Sequence, residues 1–321
     1  MLEIKLILCP VDFSEFSIRA YHYALSLAEH YRAQMVVQNI VELSRYPYAD
    51  YVASQGDYAE FCRALHEGGK ERLREFVEKH THDEIHLELV VNEGAAADSI
   101  LSLALARKVD LIVMGTHGRR GFDRLVLGSV TDRVMRTAPC PVLAISKAPH
   151  EPVAHESAAH GSMPRDSVPH DSVPREPGAQ GKEWRHVHRL NRILFCTDFS
   201  KNAARALNYA ISVTTEYDAE LTLLHVLEEA PSPAKVKEAV ATAAEQLNKL
   251  IGSEERKNLK IKTVVRIGKP FQQIIQLAVE AQIDTVIMGV SGRGALDRAV
   301  FGSTTYRVMQ LGPCPVLAVR F

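Results

Sequence analysis

The chain has 321 residues, 38 Lys and Arg against 39 Asp and Glu, and a formal net charge of −1. A balance so close to zero gives no bulk attraction for nucleic acid or an anionic membrane surface. No apolar run approaches the ~20 residues that cross a bilayer, and 46% hydrophobic with 24% charged residues is an ordinary soluble globular composition.

Taken in chain order, the first unit alternates strand and helix. Ile4–Cys9 is a short apolar run, read as a buried strand rather than a secretory signal because Glu3 and Lys5 flank so few apolar residues. Ser14 is placed to cap a helix running to about Tyr31, with Ala20, Ala24, Leu27 and Ala28 on one face. Gln34–Val41 is the second strand. Asp57–His80 has helical composition, weakened in its middle by Gly68-Gly69. Leu87–Val91 is the third strand, Ala96–Arg107 an amphipathic helix, and Leu111–Met114 the fourth strand. A glycine-rich loop then leads into a helix from about Ser129, and Pro141–Ser146 forms the fifth strand.

Residues 148–188 lack either period and are rich in Pro, Ser, His and charge. Asp166-Ser167-Val168-Pro169 is repeated there as Asp171-Ser172-Val173-Pro174. The segment reads as a flexible linker; its six histidines match no tight metal-site spacing. Beyond it the first order of elements returns: Arg192–Cys196, Ser200–Tyr217, Glu220–Leu227, Lys235–Leu250, Lys260–Arg266, Phe271–Ala281, Thr285–Met288, Ser303–Gln310 and Val316–Arg320. The expected organisation is a first domain over 1–147, a linker over 148–188 and a second domain of the same kind over 189–321. Strands alternating with helices predict parallel sheets covered on both faces.

The repetition is exact enough to count. Residues 115–146 and 289–320 align without gaps and agree at 18 of 32 positions. Both copies carry one glycine pattern: Gly115, Gly118 and Gly128-Ser129 in the first, Gly289, Gly292 and Gly302-Ser303 in the second. Between Asp12 and Gly115 lie 103 steps, against 91 between Asp198 and Gly289, so the first unit holds about 12 more residues. The surplus is placed after the second strand, where Tyr46, Tyr48, Tyr51 and Tyr58 cluster; two readings stand there, an ordinary amphipathic surface loop and a lid or partner surface special to the first unit.

Each glycine pattern starts directly after an apolar strand and ends at a helix. Ligands of open parallel sheets bind beyond the carboxyl ends of the strands. Glycines there are expected to turn at positive φ and let the backbone approach a ligand. Freed amides and a helix N-terminus favour phosphate. Ser129 and Ser303 are expected to cap those helices or donate to phosphate, while Arg119, Arg120 and Arg293 add positive charge. Asp12 and Asp198 follow the first strand of each unit, suited to ribose hydroxyls, to a metal through water, or to an N-terminal turn with Ser14 and Ser200.

Neither G-x-x-x-x-G-K-[ST] nor a G-x-G-x-x-G after the first strand occurs. No dedicated Mg²⁺ cluster or general base is visible in the spacing, which disfavours efficient phosphoryl transfer. Five cysteines, odd in number and without C-x-x-C, fit a reducing cytoplasm. Cys140 and Cys314, in matching Pro-Cys-Pro positions, read as small buried thiols.

These residues resemble the universal stress protein family in its tandem form. The resemblance rests on both complete G-x2-G-x9-G-[ST] motifs, on Val11-Asp12-Phe13-Ser14 and Thr197-Asp198-Phe199-Ser200, and on Pro139-Cys140-Pro141. It implies a doubly covered five-stranded parallel sheet of order 3-2-1-4-5 in each half, and ATP, with or without Mg²⁺, as ligand. By the same resemblance Asp12 and Asp198 would meet ribose, and Ile40 and Val226 adenine. Met114, Gly115, Gly118, Arg119, Gly128, Ser129 and Val130 would surround the phosphates of the first half. Met288, Gly289, Gly292, Arg293, Gly302, Ser303 and Thr304 would do so in the second. Val11 for the more usual Thr, Cys196 in place of Pro10, and Ser291 in place of His117 imply unequal sites. The fifth strands, Val142–Ile145 and Val316–Val319, would pair within one chain, and a further homodimer is open. The expected role is a cytoplasmic stress-response regulator; the alternatives are a slow ATPase or nucleotidyl transferase, and a scaffold for a protein or small apolar ligand.

Overall fold

A computed structural model describes residues 3–43, 58–81, 85–118, 127–146, 190–228, 235–290 and 302–320. The segment 148–188, most of Tyr46–Tyr58, Arg119, Arg120, Gly292 and Arg293 lie outside the described residues.

The strands are β1 Leu6–Pro10, β2 Gln34–Val41, β3 Leu87–Glu93, β4 Leu111–Gly115, β5 Val142–Ile145, β6 Arg192–Cys196, β7 Glu220–Leu227, β8 Lys260–Ile267, β9 Thr285–Gly289 and β10 Val316–Val319. The helices are α1 Glu15–Tyr31, α2 Tyr58–His80, α3 Ala96–Arg107, α4 Ser129–Thr137, α5 Lys201–Tyr217, α6 Val236–Lys249, α7 Ser253–Asn258, α8 Pro270–Glu280 and α9 Ser303–Leu311. One ten-stranded sheet runs β3-β2-β1-β4-β5-β10-β9-β6-β7-β8. Each half contributes the order 3-2-1-4-5, all parallel, and the halves join where β5 pairs antiparallel with β10, Leu143 opposite Leu317.

Side chains of a strand alternate between faces, so the sheet carries two cores. Ile7, Cys9 and Met35 face α1 and α2, joined by Ile193, Phe195 and Leu221 under α5 and α6. Leu8, Val36 and Ile112 face α3 and α4, joined by Leu194, Val286 and Met288 under α8 and α9. Both cores pass without interruption across the β5–β10 seam.

Ser14 caps α1 and Ser200 caps α5, each accepting the amide three residues on, Ser17 and Ala203. Both helices end on a left-handed residue, Arg32 and Asp218. Two local expectations need correction. Gly68-Gly69 does not interrupt α2, because a Cβ on Gly69 would lie 3.1 Å from Val91 and 3.2 Å from Val41. The glycine lets the helix settle on the sheet, and that packing outweighs its weak helix propensity. Helix α7 was not expected; it is a short, polar segment with no buried residue, led by Gly252.

Candidate functional site

The parallel registers bring the singled-out residues to one end of each half. Pro10 is level with Gln38, so Asp12 leaves β1 at the end of the sheet where β2 runs on through Ile40. Cys196 is level with Leu224, so Asp198 leaves β6 at the end where β7 runs on through Val226. Val11 and Thr197 each donate an amide to β2 or β7, to Gln38 O at 2.8 Å and Leu224 O at 3.0 Å. Leu8 pairs with Ile112 and Cys196 with Met288, so Gly115 and Gly289 finish their strands at that same end.

Immediately after each aspartate the chain turns through a left-handed phenylalanine, Phe13 at φ 65° and Phe199 at φ 61°. A bulky residue there is strained, and such strain concentrates where the surrounding structure demands it. The turn folds Ser14 back onto Asp12: its amide donates to Oδ1 at 3.1 Å and its hydroxyl at 2.6 Å. In the second half the Ser200 amide donates to Asp198 Oδ1 at 3.0 Å. Each carboxylate thus has one oxygen engaged by the helix it precedes.

The first glycine of each motif has a packing role. A Cβ on Gly115 would sit 2.8 Å from Phe16 Cβ and 2.9 Å from Phe16 C; one on Gly289 would sit 3.0 Å from Asn202 C. These glycines let α1 and α5 lie against the ends of β4 and β9. Gly118 is different, since its Cβ would meet the outer carboxylate oxygen of Asp12, Oδ2, at 2.7 Å. Glycine there brings bare backbone up to the aspartate. Positive φ is not the reason: among the described glycines only Gly94 and Gly268 have it. The expectation of left-handed turns at Gly115, Gly118, Gly128, Gly289 and Gly302 is therefore corrected, and at Gly115, Gly118, Gly128 and Gly289 close approach takes its place.

The loops close the same way in both halves. Gly128 donates its amide to Thr116 O at 2.9 Å, and Gly302 to Val290 O at 2.8 Å. Thr131 Oγ1 donates to Gly115 O at 2.9 Å, and Thr305 Oγ1 to Gly289 O at 3.0 Å. Both threonines are shared by the two copies, and a polar residue on a buried helix face was the signal that could have singled them out. Ser129 and Ser303 do not cap: Gly128 and Gly302 hold the N-cap positions with no side-chain cap bond, and each serine is the exposed first helical residue. The first backbone bond of α4 is Asp132 N to Gly128 O at 2.8 Å; that of α9 is Tyr306 N to Gly302 O at 3.0 Å. The amides of Ser129, Val130 and Thr131, and of Ser303, Thr304 and Thr305, therefore precede the helical ladder. Such donors carry the positive end of the helix dipole.

Met114 and Met288 are buried strand residues under the site. Arg119, Gly292 and Arg293 lie outside the described residues, so the cluster is complete around Asp12 through Gly118 and is traced in the second half through Asp198, Gly289 and Gly302.

The rims differ. Asn39 Nδ2 donates to Val11 O at 2.8 Å. The same place in the second half is taken by His225, whose Nδ1 contacts Thr197 O at 2.8 Å and whose ring lies 4.5 Å from that of Phe199. Thr197 Oγ1 also accepts the Phe199 amide at 2.9 Å, a bond that Val11 cannot make. In the first half His117 packs instead on Phe16, centroids 5.0 Å apart, with Thr116 Oγ1 3.0 Å from its Nδ1.

Cys140 and Cys314 are buried, and burial pushes each thiol up to about 12. Among the described residues no group of three or more His, Cys, Asp or Glu is arranged to hold a metal ion, and no helix is long and apolar enough to cross a membrane.

The model of the universal stress protein family matches residues 3–146 and again 189–320. A universal stress protein of Methanocaldococcus jannaschii is 36% identical over 150 residues, which are 46% of this chain and 85% of that protein. One of Bacillus subtilis is 30% identical over 146 residues, 40% of this chain and 99% of its own. Among solved structures, a universal stress protein of Archaeoglobus fulgidus superposes with a TM-score of 0.64 at 21% identity, covering 98% of both chains. That last likeness concerns the fold.

Proposed function

The chain belongs to the universal stress protein family, and on that premise we propose that it is a stress-response regulator that binds ATP in one or both halves. The observation that carries the reading is the approach of Gly118 to Asp12, where a Cβ would stand 2.7 Å from Oδ2. It joins a carboxylate able to accept from ribose hydroxyls to a loop that ends in unladdered helix amides. A triphosphate needs donors and a ribose needs an acceptor; both lie at one sheet end.

In this reading Asp12 and Asp198 orient the ribose, and backbone groups of Ile40 and Val226 meet the adenine edge. The amides of Ser129 and Val130, and of Ser303 and Thr304, take the phosphates, with Arg119 and Arg293 as counter-charge. Gly118 and Gly292 bring backbone to the sugar, while Gly115, Gly289, Gly128 and Gly302 shape the floor with Met114 and Met288. Mg²⁺ would enter as the partner of the phosphates. The role is differential binding between nucleotide states rather than turnover, exercised by a cytoplasmic protein whose domains span 1–147 and 189–321.

The test is to purify the protein without added nucleotide, denature it, and identify and count what is released. One adenine nucleotide per occupied half is expected, lost from one half in Asp12→Ala and from the other in Asp198→Ala. Empty protein that gives no calorimetric response to ATP with Mg²⁺ would overturn the reading.

A further inference from the structure

Away from both nucleotide ends, at the seam between the halves, lies a cavity of about 50 Å³. Its walls come in equivalent pairs. Helix α1 supplies Tyr23, Leu27 and Tyr31; α5 supplies Tyr209, Val213 and Tyr217, each 186 positions later. Leu143 of β5 and Leu317 of β10 form part of the floor.

The carboxylates and the threonine around this space already have partners. Asp110 Oδ2 accepts the amides of Lys5 and Leu6 at 2.8 and 2.9 Å. Asp284, its counterpart, accepts those of Asn191 and Arg192 at 2.7 and 2.8 Å. The Thr285 hydroxyl donates to Pro315 O at 3.2 Å. The tyrosines reach across the seam: burial pushes both phenols up, with Cys314 and then Asp284 adding to it at Tyr23 and Cys140 and then Asp110 at Tyr209. His30 stacks on Tyr217, centroids 4.2 Å apart and 15° from parallel, with its Nε2 3.5 Å from Glu216. The space is therefore lined mainly by aromatic and aliphatic surface.

We propose that this seam cavity is a second ligand site, one for a small uncharged apolar guest of about the size of a xenon atom. The volume exceeds the ~10–15 Å³ that one water needs, yet water needs two or more polar partners there. An anion would lose its hydration against walls that are mainly apolar. Tyrosine rings and leucine side chains offer dispersion contacts to an apolar guest. Cavities between domains are also where small apolar ligands find most surface to bury. The proposal is independent of the nucleotide reading, because none of these residues belongs to that site.

Xenon is the probe, applied to the full chain with methyl groups of Leu27, Leu143 and Leu317 observed by NMR. It should give saturable shifts confined to those methyls. Leu27→Trp, which fills the space, should abolish them while ATP binding and far-UV circular dichroism stay as in the parent. Leu143→Ala enlarges the space and should tighten xenon binding several-fold, which keeps the test open where Leu27→Trp fails to fold. Absence of saturable shifts in the parent, ordered water filling the space, or an undiminished response in folded Leu27→Trp would each overturn the site.

Discussion

The two halves share a frame and differ at the rim. Both set a left-handed phenylalanine after the aspartate, Phe13 and Phe199, and both tie the last helix to the fourth strand through Thr131 and Thr305. Yet Asn39 and Val11 stand where the second half has His225 and Thr197, and the buried Gln38, 0% exposed, stands where it has Leu224. Gln38 spends its amide on Asn92 Oδ1 at 2.8 Å and Ser99 O at 3.2 Å, a polar strut that a leucine cannot form. The frame is held by backbone bonds, which most side chains tolerate, and by the one threonine that both halves keep. The rim is built from side chains, so the halves can diverge there without disturbing the sheet.

That contrast can be broken most forcefully at the motif's first glycine. Gly115→Ala forces a Cβ against the Phe16 backbone and should cost about 1–3 kcal/mol by overpacking. Gly289→Ala, with its nearest contact at 3.0 Å instead of 2.8 Å, should cost less. Urea unfolding of both variants measures the gap, and equal losses would erase the asymmetry.

A step smaller, Gly118→Ala displaces the Asp12 carboxylate rather than a helix. ATP affinity of the first half should fall about tenfold, a change of about 1.4 kcal/mol, with little effect on the thermal midpoint. Calorimetry in an Asp198→Ala background isolates that half. Unchanged affinity would remove Gly118 from the site.

Asn39→Leu deletes the bond to Val11 O and leaves a buried carbonyl without it, costing about 1 kcal/mol. Asn39→His should recover most of that stability, since histidine already makes the equivalent bond at Thr197. Failure of histidine to rescue, read from chemical denaturation, would mean that the two rims are not interchangeable.

Smallest near neutrality, and growing only in alkali, is the effect of pH. The thiols of Cys140 and Cys314 rise from 9.0 to about 12 on folding, through burial. A raised folded value means that the unfolded chain loses its proton first. The contribution is full below pH 9 and declines as pH climbs from 9 toward 12. Stability measured across that range should fall less steeply in Cys140→Ala/Cys314→Ala. Alkylation at pH 8 should reach the half-buried Cys62 well before either.

Much of the architecture was legible because it is local. Apolar runs such as Leu111–Met114, caps such as Ser14 and Ser200, and the repeated glycines each declare themselves within a few residues. The reasons behind the glycines were not legible. Gly115 answers to Phe16 and Gly118 to Asp12, about a hundred positions away in sequence, and only the packed structure shows that close approach rather than positive φ selects them. Gly68-Gly69 misled for the same reason, since the sheet beneath α2 decides what Gly69 is for. Thr131 and Thr305 escaped notice because a threonine on a buried face has no local signature of the carbonyl it will meet.

The antiparallel joint of β5 with β10 lies within one covalent chain, and that has a consequence for dose. A seam between separate subunits comes apart on dilution, whereas this one closes at a fixed effective concentration. Its integrity is therefore indifferent to how much protein a cell makes. Two unlike rims are also held in strict one-to-one ratio in every molecule, so no scarcity of one half can leave the other alone.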